Sequence, residues 1–204
     1  MTSNTRLDAL KDQMSLCGSC DLCKTRTKVV FGSGSHEPLI MIVGEAPGEE
    51  EDSEGVPFVG KAGQKLDSML SYVGIKREDV YITNTVCCRP PNNRVPRKEE
   101  LDACKWRLDL QVKLLHPKMI ILLGRTALEQ FRGSSIKGAL SQFFFDKISN
   151  KDGWLHYSVD GHESKVLVSY HPSYHLRSPE KAYRETLPHW QKVKKWIEQQ
   201  RAVK

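Results

Sequence analysis

Three short aliphatic runs, at residues 38–43, 80–86 and 119–123, limit what this chain can fold into. Each has the length of a buried strand, and the stretches between them carry apolar residues at helical spacing. Leu66, Met69, Leu70 and Val73 mark one face of a helix over 62–73. Leu101, Cys104, Leu108 and Val112 do the same over 97–116. Strands that alternate with helices predict a parallel sheet covered on both faces, a three-layer α/β/α domain spanning residues 1–204. Around this frame the sequence predicts a first helix over 5–16, with Leu7, Leu10 and Met14 on one side, and a short helix after Gly124. Segments 154–159 and 165–170 flank Asp160-Gly161, a turn signal that predicts a hairpin. A basic helix over 179–200 closes the chain, and residues 133–152 show no readable pattern.

In open α/β sheets, ligands bind beyond the carboxyl ends of the strands. Three motifs fall at that edge: Gly44-Glu45-Ala46-Pro47-Gly48, Thr83-Asn84 and His171-Pro172-Ser173. The segment from Gly55 to Ala62 comes close to a phosphate-cradling loop. It ends in Ala62 where a hydroxyl would hold magnesium, and the acidic run before it would repel a triphosphate. What survives is a helix start at Gly60–Gly63, whose backbone N–H groups can face a single phosphate.

The aliphatic runs are too short to cross a bilayer, and the opening Met1-Thr2-Ser3-Asn4 lacks the apolar core of a signal peptide. The expectation is an intracellular protein with no membrane partner. Disulfides are rare in reducing compartments, so the six cysteines read as metal ligands. Cys17 and Cys20 form a C-x-x-C pair, while Cys88 and Cys104 lie far downstream with fifteen residues between them. Tetrahedral zinc and an iron–sulfur cubane both take four thiolates, and the spacing does not choose between them. Cys23 and Cys87 are spare thiols, either of which can replace one of the four. The net charge of +6 suits a polyanionic partner without identifying one.

Taken in order, the motifs resemble the family 4 (iron–sulfur) uracil-DNA glycosylases. Gly44-Glu45-Ala46-Pro47-Gly48 with Glu51-Asp52 is similar to the family's first motif, and residues 57–63 are similar to the segment that follows it. Tyr81-Ile82-Thr83-Asn84, Cys88-Arg89-Pro90-Pro91 and Asn93-Arg94 match its middle block. His171-Pro172-Ser173-Tyr174 with Leu176-Arg177 matches its last. The resemblance implies a 4Fe-4S cluster on Cys17, Cys20, Cys88 and Cys104. It also implies that uracil-containing DNA, single- or double-stranded, is the substrate of a monomeric enzyme.

The roles implied by the resemblance agree with the chemistry required. A base inside a duplex is out of reach and must be flipped into a pocket. Phe58 would stack on the extruded ring, with Gly44, Glu45 and Ala46 lining the site. Asn84 offers one acceptor and one donor, complementary to uracil's ring N–H and 4-oxo group and mismatched to cytosine. Glu51 would stand beside the 5-position and oppose thymine. His171 and Glu45 would act on the charge that develops as the glycosidic bond breaks. Leu176 would fill the vacated stack, while Arg177, Lys61 and Gly63 would meet the DNA backbone. Three alternatives share the fold: a glycosylase for a modified pyrimidine, a non-catalytic uracil-DNA binder, and a covalent trap. The last uses a histidine in a basic loop, and residues 92–97 contain none.

Overall fold

A computed structural model describes residues 3–132 and 154–202. The predicted irregular span at 133–152 lies outside them. Six strands form one sheet in the order β1-β3-β2-β4-β6-β5. At its centre β3 (Tyr81–Asn84), β2 (Ile40–Gly44), β4 (Met119–Leu123) and β6 (His162–Ser169) run parallel to their neighbours. The edges are antiparallel: β1 (Ser33–Gly34) pairs with β3, and β5 (Leu155–Val159) pairs with β6 as the predicted hairpin. The sheet is therefore mixed, with a parallel core.

Alternation along the strands builds the three layers. Met41 and Val43 of β2 face one way, into a core with Ile120, Leu122, Leu108 and Val112. Ile40 and Ile42 face the other way, into a core with Ile121, Leu123, Leu66 and Leu70. A period of two on a strand buried on both faces makes every residue apolar, as the sequence shows. The first core is covered by α1 (Ser3–Ser15), α4 (Lys98–Leu115) and α5 (Arg125–Arg132), which contribute Leu7, Leu10, Met14, Leu108, Val112, Ala127 and Leu128. The second is covered by α3 (Lys61–Tyr72) and α7 (Pro179–Ala202), which contribute Leu66, Leu70, Trp190, Val193 and Ile197. Among the described residues no helix is long and apolar enough to cross a membrane.

Two short helices sit at the carboxyl edge. The acidic run is helix α2 (Glu49–Glu54), and α6 (Ser173–Arg177) follows β6 closely. The chain passes from β3, on one side of β2, to β4 on its other side. This reversal opens a crevice at the ends of β2 and β4, where an α/β sheet places its ligands.

Candidate active site and cysteine cavity

The crevice is a cavity of about 900 Å³. Glu45, Ala46, Glu51, Phe58, Lys61, Asn84, His171 and Arg177 line it, joined by Gly124 and Tyr170. Eight of the predicted site residues thus come together from five segments of the chain. Gly44 forms part of the floor: a Cβ there would collide with the Phe58 ring and with Oδ1 of Asn84. Leu176 is exposed at the surface on α6.

Asn84 ends β3 opposite Gly44 and is 1% exposed, yet its Oδ1 has no hydrogen-bond partner among the described residues. Buried acceptors are almost always satisfied, so an open one in a cavity wall points to a missing donor. Phe58 occupies the left-handed backbone region at φ 55°, a conformation that costs a side-chain-bearing residue about 1–3 kcal/mol. That twist sets its ring 5.7 Å from the His171 ring at 33°. Gly63 sits beneath this turn, where an added Cβ would overlap the Phe58 carbonyl carbon at 2.3 Å. The structure thus gives Gly63 a packing reason to be glycine, at the first turn of α3.

The backbone N–H of Ser173 donates to Nδ1 of His171 at 3.2 Å, and the Ser173 hydroxyl lies 2.9 Å from the same nitrogen. An accepting Nδ1 leaves the ring proton on Nε2. Burial first, and then the charge of Arg177, depress the His171 pKa to about 4, against a partial opposing pull from Glu51. At neutral pH the residue is a neutral imidazole with one N–H to donate.

Glu45 is held at both ends. Its carbonyl accepts from the Thr85 hydroxyl, and its Oε2 accepts from the Thr126 hydroxyl at 2.5 Å. Glu51 lines the cavity and is anchored to the backbone around it. Its carboxylate accepts from the backbone N–H groups of Gly48 at 2.9 Å, Val59 at 3.0 Å and Gly60 at 2.9 Å. It ties the first motif to the Phe58 turn, and it consumes the Gly60 N–H that the sequence offered to a phosphate. Ser173, Thr126 and the lining residues Pro90, Asn93, Arg94 and Val95 were not singled out from the sequence as site residues. Thr126 meets Glu45 across 81 positions, and no local pattern carries that signal.

On the α1–α4 side, Cys17, Cys20, Cys23, Cys88 and Cys104 line one small cavity together with Met14 and Arg26. Nη1 of Arg26 donates to Sγ of Cys88 at 3.3 Å, although burial still pushes that thiol up to about 11. Cys87 is fully buried behind this cavity. Among the described residues, no three His, Cys, Asp or Glu side chains converge tightly enough for one metal ion.

A family model described as the Uracil DNA glycosylase superfamily matches residues 31–197. A Type-4 uracil-DNA glycosylase of Thermotoga maritima is 42% identical over 178 residues, covering 87% of this chain and 86% of that protein. A Type-4 uracil-DNA glycosylase of Archaeoglobus fulgidus is 43% identical over 176 residues, covering 85% of each chain. A Type-5 uracil-DNA glycosylase of Thermus thermophilus is 32% identical over 161 residues, 71% of this chain and 68% of that one. The chain belongs to the uracil-DNA glycosylase superfamily, in its type-4 branch.

Proposed function

We propose that this protein flips uracil out of DNA and hydrolyses its N-glycosidic bond, releasing the free base and leaving an abasic site. The observation that carries this reading is the unpartnered Oδ1 of Asn84, buried in the wall of a cavity that also holds a neutral histidine. Uracil's ring N–H donates to that oxygen, and the Asn84 amide donates to the 4-oxo group. Cytosine presents the reverse pattern and leaves both groups unpaired, at a cost of about 1–3 kcal/mol for each buried group. Phe58 stacks on the ring. The loop that Glu51 draws together bounds the pocket on the side where thymine would need room for its methyl group.

Bond cleavage leaves negative charge on the departing base and positive charge on the sugar. His171 enters the step neutral, so its Nε2–H is a donor for the base oxygen and forms its strongest hydrogen bond as charge develops. A single preorganised donor of this kind is worth about 3–4 kcal/mol. Glu45, fixed by Thr126, supplies negative charge at the same cavity wall, to face the sugar cation. Lys61 and Arg177 meet the phosphates, and the exposed Leu176 takes the place of the extruded base.

The cysteine cavity fits a 4Fe-4S cluster on Cys17, Cys20, Cys88 and Cys104. The donors are soft sulfurs. They line one small cavity, as ligands to a shared centre must. When bound, the group supplies a covalent tie between the end of α1, the segment after β3, and α4.

Two variants separate the assigned roles. His171→Ala lowers single-turnover uracil excision about 100-fold or more while uracil-DNA still binds. Asn84→Asp loses the donor for the 4-oxo group and most uracil activity, with a trace of cytosine release from its protonated form. Near wild-type excision by both folded variants would show that the cavity has been assigned wrongly.

A further inference from the structure

Arg107 is 0% exposed, and nothing in the reaction uses it. Its Nη1 donates to Oγ1 of Thr83 at 3.0 Å and to Oε1 of Gln111 at 2.6 Å. Its Nη2 donates to the carbonyls of Asn84 at 2.9 Å and Thr85 at 3.1 Å. All four acceptors are neutral oxygens, so they satisfy the donors without answering the charge, and Nε has no hydrogen-bond partner among the described residues. A guanidinium sealed from water with its charge unanswered is strongly destabilising, and such a group is retained where an anion meets it.

A sulfur that is a thiolate when it holds a metal centre lies one turn earlier on the same helix. Cys104 stands three residues before Arg107 on α4, at the wall of the cysteine cavity. Three residues apart on one helix, the two side chains share a face, which sets the guanidinium beside the Cys104 position. One side of Arg107 is therefore turned to the helix face that carries Cys104, and its other side is the end of β3.

We propose that Arg107 is the counter-cation of the cysteine centre and a positioning residue for Asn84. One guanidinium spans the distance between the Cys104 sulfur and the carbonyls of Asn84 and Thr85, so that filling the centre fixes the strand end that reads the base. The proposal rests on the reading that these cysteines hold an iron–sulfur cluster. A four-thiolate cluster carries net negative charge. Hydrogen bonds and cations beside its sulfurs set its reduction potential, which gives the link a readout independent of activity.

The test compares the full-length, iron-loaded wild type with Arg107→Met, Arg107→Gln and Arg107→Lys. Iron per chain, reduction potential by protein-film voltammetry, and kcat and KM on a uracil-containing strand are measured for each. Removing the cation in the Met and Gln variants should shift the potential downward. The same two variants should lose about tenfold or more in kcat/KM on uracil strands, because a small displacement of a reading group is amplified in the rate. Arg107→Lys keeps the charge and should restore the potential, recovering activity only in part because it cannot span all four acceptors. Gln carries the test if Met does not fold, since it retains a polar head without charge. An iron-loaded neutral variant with unchanged potential, or with a shifted potential and unchanged kcat/KM, overturns the proposal and leaves the proposed function standing. A wild type isolated without iron overturns the cluster reading and the proposal with it.

Discussion

His171 shows how a single residue's surroundings decide its chemistry. In water an imidazole with a pKa near 6.5 would be partly charged at the pH where repair takes place. Burial and Arg177 hold this one at about 4, and Ser173 fixes which nitrogen keeps the proton. Excision governed by this residue should therefore lose rate on the acid side near pH 4, with no limb at 6.5, in a single-turnover pH profile. A limb near 6.5 that vanished in His171→Gln would contradict the neutral donor. The sign for stability follows from the same shift. The unfolded chain takes up the proton first, so His171 contributes stability above pH 6.5 that is lost as pH falls toward 4, and changes no further below that. The legibility of residues divides along the same line. Asn84 and His171 stand in motifs at the ends of strand runs, and their roles came from the resemblance of those motifs to the family. Thr126, Ser173 as a tautomer lock, and Arg107 could not, since their roles exist only through contacts that folding creates.

At the scale of elements, the strands and long helices were legible because a buried parallel strand is a continuous aliphatic run and a covering helix has a 3.6-residue stripe. Helix α2 was not. Six residues with four carboxylates in the first turn have no apolar stripe, and the helix forms because its own side chains cap and anchor it. Glu51 closes on the N–H groups of Gly48, Val59 and Gly60, while Asp52 accepts from the Thr27 N–H at 3.0 Å. The antiparallel edge at β1, two residues long, also left no periodic signal. The Phe58 turn depends on such support, since its left-handed backbone rests directly on α3 at Gly63. Gly63→Ala should therefore cost about 1–3 kcal/mol of stability through overpacking against backbone. Chemical denaturation would register that loss, and uracil excision should fall further than stability alone explains because Phe58 moves. An alanine variant with wild-type stability and rate would mean that the turn is not held from below.

For the molecule as a whole, two sites lie on opposite sides of one strand end. The base-reading cavity opens at the carboxyl edge of the sheet, and the cysteine cavity lies beneath α1 and α4, with β3 and the segment after it between them. The sequence placed Asn84 and Cys88 four residues apart, but it could not say that a buried arginine from α4 joins their surroundings. The cysteine assignment has its own check. Purified protein should be brown with about four irons per chain, as a cubane on four thiolates requires. Replacing Cys23 should leave that iron in place. A colourless protein with one zinc would keep the ligands and reject the cluster.

That the Asn84–His171 cavity accepts uracil and releases it catalytically is tested by base release from single- and double-stranded oligonucleotides carrying uracil, hydroxymethyluracil, cytosine or thymine, with enzyme well below substrate. Free uracil should appear in many-fold excess over enzyme, with an abasic strand as the second product and no release of cytosine or thymine. Preferential release of hydroxymethyluracil, a covalent protein–DNA product formed once per enzyme, or tight binding without release would each contradict it.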